Sequence, residues 1–319
     1  MTIEAATQAA PPAGTQTGSV NGATSSETPS STRRSIVNGN AQQENDSELL
    51  DLLELGKDVL TPLEKAQIRF VRSTFAPGAF DTAVRVLQRR LGAFWIEQCV
   101  KNVRKVHGVE RLGTLDPKKS YICVSNHRSF FDMYLITAFL VWRDLLPHRI
   151  LFPVRSKFFY DNPAGLAVNG LMSFFAMYPP VFRERKRMFL NRAMMDETSR
   201  LLRQGGVFVG LHPEGQRNQG ADPYELLPAR FGVGKIIQDS NAVVIPAFVH
   251  GLGNDLPKQL RGNFDGSGED VNLVFGEPLD LSELASGPRT QKTQVAIAER
   301  CLDAVRELGQ EERDIRYGR

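Results

Sequence analysis

Two short stretches hold the residues best able to do chemistry. In "SNHRSFFD" His127 is followed five positions later by Asp132, and in "GLHPEGQRN" a second histidine, His212, precedes Pro213, Glu214, Gly215 and Arg217. If a strand ends near Ser125 and a helix begins near Ser129, His127 lies in the turn and Asp132 in the first helical turn. A carboxylate so placed accepts from one ring N–H, fixes the tautomer and supports the imidazolium formed when the ring takes a proton. No Gly-x-Ser-x-Gly turn marks a serine or cysteine nucleophile nearby, so the proton would come from a hydroxyl of the substrate. The competing reading is a structural histidine satisfied by a capping aspartate.

In the second stretch Gly215 lets the backbone approach a ligand closely, and Arg217 offers a planar fork for phosphate oxygens. Glu214 could hold a substrate hydroxyl or keep the loop in place. The same residues also read as a tight turn with a solvated ion pair. Between the two stretches, "VFRERKR" places Arg183, Arg185, Lys186 and Arg187 within five positions. Such a cluster suits a phosphate group at a lipid or protein surface, and it also suits a solvated helix face.

The elements that must position these residues follow from the apolar patterning. Short runs, "YICVS", "ILFPV", "VFVGL", "AVVIPAFV" and "VNLVFG", alternate with segments able to form helices, which predicts an α/β domain with a largely buried sheet. Both candidate stretches follow such runs, at the carboxyl ends of strands where α/β sheets gather their sites; a third loop starts at Pro246. The uncharged segments 133–142 and 162–182 either pack the core or line a groove.

Upstream, "SELLDLLELGKDVL" has Ser47 as a helix cap, and Pro62 begins a second helical segment. Phe80, Val84, Leu87, Leu91, Phe94, Trp95, Cys99 and Val103 recur at helical spacing, opposite Arg85, Arg89, Arg90, Lys101, Arg104 and Lys105. This basic amphipathic helix either lies in a membrane interface, with salt-sensitive binding to anionic vesicles, or packs on the core with a solvated cationic face. Residues 1–46 hold almost no large apolar side chains and are expected to be a disordered tail. The expected organisation is thus that tail, a helical segment over 47–109, and an α/β domain over 110–319.

Composition narrows the function classes. A formal net charge of +3 over 319 residues is too small to argue for nucleic acid. Three well-separated cysteines form neither a CxxC pair nor a disulfide framework, which favours a reducing compartment. The first residues lack a secretory signal pattern, and no stretch reaches the roughly 18 continuous apolar residues of a spanning helix. Lipid, if met, is met from the surface.

The "NHRSFFD" block resembles the N-H-x4-D block of the glycerolipid acyltransferases, the 1-acylglycerol-3-phosphate acyltransferase family. "HPEGQRN" is similar to that family's F-P-E-G-T-R-S block. The two stand in the family's order, with a basic block between them, Lys157 of "VRSKFF" before that block and a V-I-P-A segment after, over roughly residues 110–280. The resemblance implies a mixed, largely parallel sheet flanked by helices (glycerol-3-phosphate acyltransferase-like), preceded by a helical segment. It implies that His127 is the general base, oriented by Asp132, and that the activated hydroxyl attacks the thioester of acyl-CoA or acyl-carrier protein. Glu214, Gly215 and Arg217, with Arg183 and Lys157, would bind the acceptor's glycerol phosphate. No metal or cofactor is implied, because a thioester is already activated. The implied location is cytoplasmic, peripheral at a membrane, with lysophosphatidic acid as the family's commonest acceptor. Glycerol 3-phosphate, another lysophospholipid and an amino-acid lysolipid stay open, because His212 replaces the usual aromatic, Gln216 the threonine and Asn218 the serine. The middle block lacks its usual glycine, which leaves Arg183 and Arg185 as alternatives. Two rivals stand beside this reading: a metal hydrolase using His127, Asp132, His212 and Glu214, and a catalytically silent lipid-binding protein of the same fold.

Overall fold

The apolar runs become strands and the uncharged or amphipathic segments between them become helices. The structure, a computed structural model, describes residues 49–146 and 148–318, so the expected tail and the Ser47 cap lie outside the described residues. The described strands are β1 (Arg104–His107), β2 (Tyr121–Ser125), β3 (Arg149–Arg155), β4 (Met177–Val181), β5 (Val207–Leu211), β6 (Val243–His250) and β7 (Val271–Phe275). They form one sheet in the order β1-β7-β6-β2-β5-β3-β4. Every neighbouring pair is parallel except β6–β7. This is the expected mixed, largely parallel sheet, and its central strands β2 and β5 are buried throughout, as apolar runs covered on both faces must be.

Two strands escape the sequence patterning, and both are at edges. β4 reads Met-Tyr-Pro-Pro-Val, and prolines that cannot donate to a ladder are confined to such positions. β1, four residues long, falls within the segment expected to be helical. The helical pattern stops at Val100 and the chain turns at once into the sheet.

Helix Asp132–Trp142 is buried from Asp132 to Val141, as a helix apolar on all sides must be. It crosses close over β5 because position 210 is glycine: a Cβ there would stand 2.6 Å from the Met133 sulfur. Pro62 opens the helix Pro62–Ser73 as expected, behind a Thr61–Glu64 capping box. The final helix, Gln291–Tyr317, packs on β6, β7 and the helix Phe231–Ser240.

The basic amphipathic stretch forms helix Ala79–Leu87, a π-helical turn Gln88–Gly92 and helix Ala93–Val100. Its burial differs from the expectation. Asp81, Gln88 and Glu97 are buried, whereas Phe80, Leu87, Leu91 and Phe94 are exposed. The inward polar groups all find partners: Asp81 pairs with Arg85, Gln88 bonds the backbone of Ile150 on β3, and Glu97 holds Arg104. The cations are therefore largely engaged, with Arg89 on Asp144 and Lys105 on Asp270 as well.

Candidate active site

Because β2 and β5 are adjacent and parallel, with Val124 opposite Leu211, their carboxyl-end loops emerge side by side. This alone brings the two sequence stretches together. Asn126 fastens the end of β2 to β6: its amide donates to the Val249 carbonyl (2.8 Å) and accepts from the Val249 N–H (2.9 Å).

Asp132 is the first residue of its helix and is buried. Its Oδ2 accepts from the backbone N–H groups of Arg128 and Ser129, each at 2.8 Å, and stands 3.3 Å from His127 Nδ1. A turn folded around the carboxylate thus sets the histidine, with Nδ1–H toward Asp132 and Nε2 left for chemistry. On its flank, the His212 ring stacks on His127 with centroids 3.8 Å apart and planes 6° from parallel. His212 Nδ1 lies 3.1 Å from the Ser125 carbonyl, which anchors the stack.

The electrostatics leave His127 a free base at neutral pH. Burial, followed by the Arg217 and Arg183 guanidinium groups, holds its imidazole down at about 4. Burial, followed by His127, holds His212 down at about 3, and burial pushes the Asp132 carboxyl up to about 6. Above that range His127 is neutral and Asp132 ionised, the state in which the ring can accept a proton and the carboxylate can stabilise it.

The remaining candidate residues divide. Arg217 is exposed on the loop, its NH1 3.1 Å from Asn254 Oδ1. Arg183 reaches the same loop, donating to the Gly215 carbonyl at 2.9 Å. Gly215 sits at φ +66°, where a side chain is strained. Lys157 is exposed in the helical turn Ser156–Phe159 that follows β3, on the same sheet edge, and Phe159 stacks near Phe130 of the His127 loop (6.3 Å between centroids). Glu214 is not turned toward a ligand. It is buried, with Oε1 accepting from the His127 N–H and Oε2 from the Leu227 N–H, both at 2.8 Å. It locks the two loops together. The middle basic block is also split: Arg183 faces the site, Arg185 and Lys186 are exposed, and Arg187 pairs with Glu64 over the Phe182 ring.

Donor atoms of His127, Asp132 and His212 lie within 4.8 Å of one another, so a shared ion has to be considered. Imidazole lone pairs lie in the ring plane, and two rings 6° from parallel direct them side by side rather than toward one point. Asp132 Oδ2 is already held by two N–H groups, its Oδ1 is buried without a hydrogen-bond partner, and both Glu214 oxygens are engaged. The geometry suits proton transfer better than the tetrahedral set of a hydrolytic metal.

Asn126 and Asn218 stand inside the two motif blocks without a role legible in the sequence, and sequence reading missed Asn254. Asn218 donates its backbone N–H to the His127 carbonyl at 2.7 Å. Asn254, beyond β6, joins Arg217 to the His127 loop. Asn254 carries no periodicity or charge signal that a sequence could expose.

A small apolar cavity of about 30 Å³ lies beneath helix Asp132–Trp142, lined among others by Tyr134, Ala138, Val141, Ile96 and Met172. It draws on both uncharged segments and on the N-terminal helices.

The acyltransferase family model matches residues 103–250, a span that holds both motif blocks and the basic block between them. Over those residues the chain matches the acyltransferase family. The resemblance read from the motifs is borne out, and with it the expectation of an acyl-transferring enzyme. Among solved structures the chain is similar to the 1-acyl-sn-glycerophosphate (LPA) acyltransferase PlsC from Thermotoga maritima, at 16% identity and a TM-score of 0.48, over 79% of this chain and 95% of that one. No curated protein matches the chain.

Proposed function

We propose that this acyltransferase moves a fatty acyl group from acyl-CoA or acyl-carrier protein to a hydroxyl of a glycerophospholipid precursor, lysophosphatidic acid first among them. The observation that carries this reading is a neutral, carboxylate-oriented His127 facing two guanidinium groups, Arg217 and Arg183, on one sheet edge. His127 Nε2 takes the hydroxyl proton as the oxygen attacks the thioester carbonyl carbon. The carbon–sulfur bond then breaks, and the proton passes from His127 to the leaving thiolate, so the base is regenerated. Arg217, with Arg183 and Lys157, holds the acceptor phosphate. No described helix is long and apolar enough to cross a membrane, and the outward apolar stripe of residues 80–94 supports attachment at a membrane surface.

The test is acyl transfer from labelled acyl-CoA and acyl-carrier protein to a panel of lysophosphatidic acid, other lysolipids and glycerol 3-phosphate. His127→Ala should lower kcat by roughly 10²–10⁴-fold with the fold intact, the range a positioned base contributes. Retained transfer by that variant would remove His127 from the mechanism. Transfer by neither protein with any donor would point to the silent lipid-binding reading.

A further inference from the structure

Asn254 sits in the loop between β6 and the helix Leu256–Asp265, with Asp255 capping that helix. Its Oδ1 receives the Phe130 N–H at 2.9 Å, the Ser129 hydroxyl at 3.3 Å and Arg217 NH1 at 3.1 Å. The neighbouring Gly253 carbonyl accepts from the same Ser129 hydroxyl at 2.9 Å. One side chain therefore ties the turn that carries His127 to the guanidinium across the site. Every group that reaches Oδ1 is a donor. The amide's own amino group makes only a 3.5 Å contact, to the Arg128 carbonyl. A carboxylate of the same shape would serve those three donors better, because a charged acceptor makes the stronger hydrogen bond. As a clamp, the amide is the weaker of two isosteric choices; its advantage is neutrality. A carboxylate here would pair with Arg217 and stand against any anion that approached it.

We infer that Asn254 is a positioning and specificity residue: it aims Arg217 and, being uncharged, reserves that guanidinium for an anionic headgroup. The inference rests on the reading of Arg217 as the phosphate-binding residue. Its experiment is a double-mutant cycle on the full chain with lysophosphatidic acid as acceptor. KM and kcat are measured for wild type, Asn254→Asp, Asn254→Ala and Arg217→Ala, and for each Asn254 variant in the Arg217→Ala background. Asn254→Asp should raise KM roughly tenfold, the scale of an introduced competing charge, and by more than it lowers kcat. Asn254→Ala should raise KM less. In the Arg217→Ala background Asn254→Ala should add nothing to the effect, whereas Asn254→Asp, its carboxylate now unpaired, should still raise KM.

An unchanged KM in Asn254→Asp overturns the inference. So does an equal rise from Asn254→Ala in the Arg217→Ala background, or a loss confined to kcat, which would place the effect on the His127 turn. If Asn254→Asp fails to fold, the Asn254→Ala cycle decides by the same criteria. Absence of transfer to phosphate acceptors by wild type overturns the functional reading itself and this inference with it. Normal wild-type transfer with a flat cycle overturns this inference alone.

Discussion

At the scale of residues, the site is a set of side chains whose charges are arranged around one proton. His127 must be neutral and Asp132 ionised for the base to work. Burial, with the two guanidinium groups, favours the first by holding His127 at about 4, while burial works against the second by raising Asp132 to about 6. The two titrate as a coupled pair. Turnover should therefore be flat above the upper value and fall as pH drops from about 6 toward about 4, because each proton taken up removes the active form. Arg217 is a positive neighbour that lowers the basicity of His127, so Arg217→Ala should shift the acid limb of kcat to higher pH. The profile is measured at saturating acceptor, which separates this effect from weakened binding; an unmoved limb would show that the charge of Arg217 does not reach the base. These residues were legible as two motifs. What their sequence could not show is that Glu214 points inward to two N–H groups, because a buried loop acceptor and a ligand-facing carboxylate look the same in one dimension.

At the scale of elements, the π-interrupted helix over residues 79–100 buries Val84, Ile96 and Cys99 but also buries polar groups and leaves a second apolar stripe outside. Leu91 is 52% exposed and Phe94 49%, while Gln88 and Glu97 are buried and bonded. A stripe of this kind gains by entering the headgroup–acyl boundary. Half-exposed Leu and Phe each retain about half of the roughly 1.5–3 kcal/mol available from full burial. Leu91→Ser with Phe94→Ser should thus weaken binding to phospholipid vesicles roughly 30-fold, measured by co-sedimentation. Folding stability should fall by about 1 kcal/mol per site, from the half of each side chain that the fold already buries. Because Arg85, Arg89, Arg104 and Lys105 are paired within the protein, vesicle binding should depend only weakly on salt, unlike the strong dependence expected from the sequence. Steep salt dependence would return the attachment to the cations. The helical period was readable, but the face it buries was not: inward polar groups are tolerable only where distant partners, such as the Ile150 backbone, satisfy them.

At the scale of the whole molecule, the last helix reaches back to the site loop. Glu312 is buried and accepts from Tyr224 Oη (2.6 Å), Asn272 (2.8 Å) and Arg316 (2.7 Å), with His250 at 3.3 Å. Tyr224 belongs to the loop that runs from Asn218 to Leu227, which holds the His127 carbonyl at one end and Glu214 at the other. Burial opposes ionisation of Glu312, yet its four donors outweigh it and hold the carboxyl at about 2. A depressed carboxyl contributes stability that is present above its unfolded value and lost as pH falls through the folded one. The unfolding midpoint should therefore drop between about pH 4.5 and about 2. Glu312→Gln should flatten that drop and cost about 1–3 kcal/mol near neutrality, the price of leaving buried donors poorly matched. Denaturant melts across pH check both, and a variant with wild-type pH dependence would show that the network carries no such linkage.

The sequence by itself determined the alternation that makes an α/β sheet, the two motif blocks with their base and guanidinium, and the absence of a spanning stretch. These are local: periodicity, residue type and spacing are written along the chain. Tertiary structure alone decided that Asn254 and Asn126 serve the site, that Glu214 and Arg187 turn away from it, that His212 stacks on the base, and that the helix of residues 79–100 shows its apolar stripe to the outside. Most of those depend on a partner tens of residues away, and it is the order of the strands and the packing of the helices on them that bring such partners within hydrogen-bonding reach.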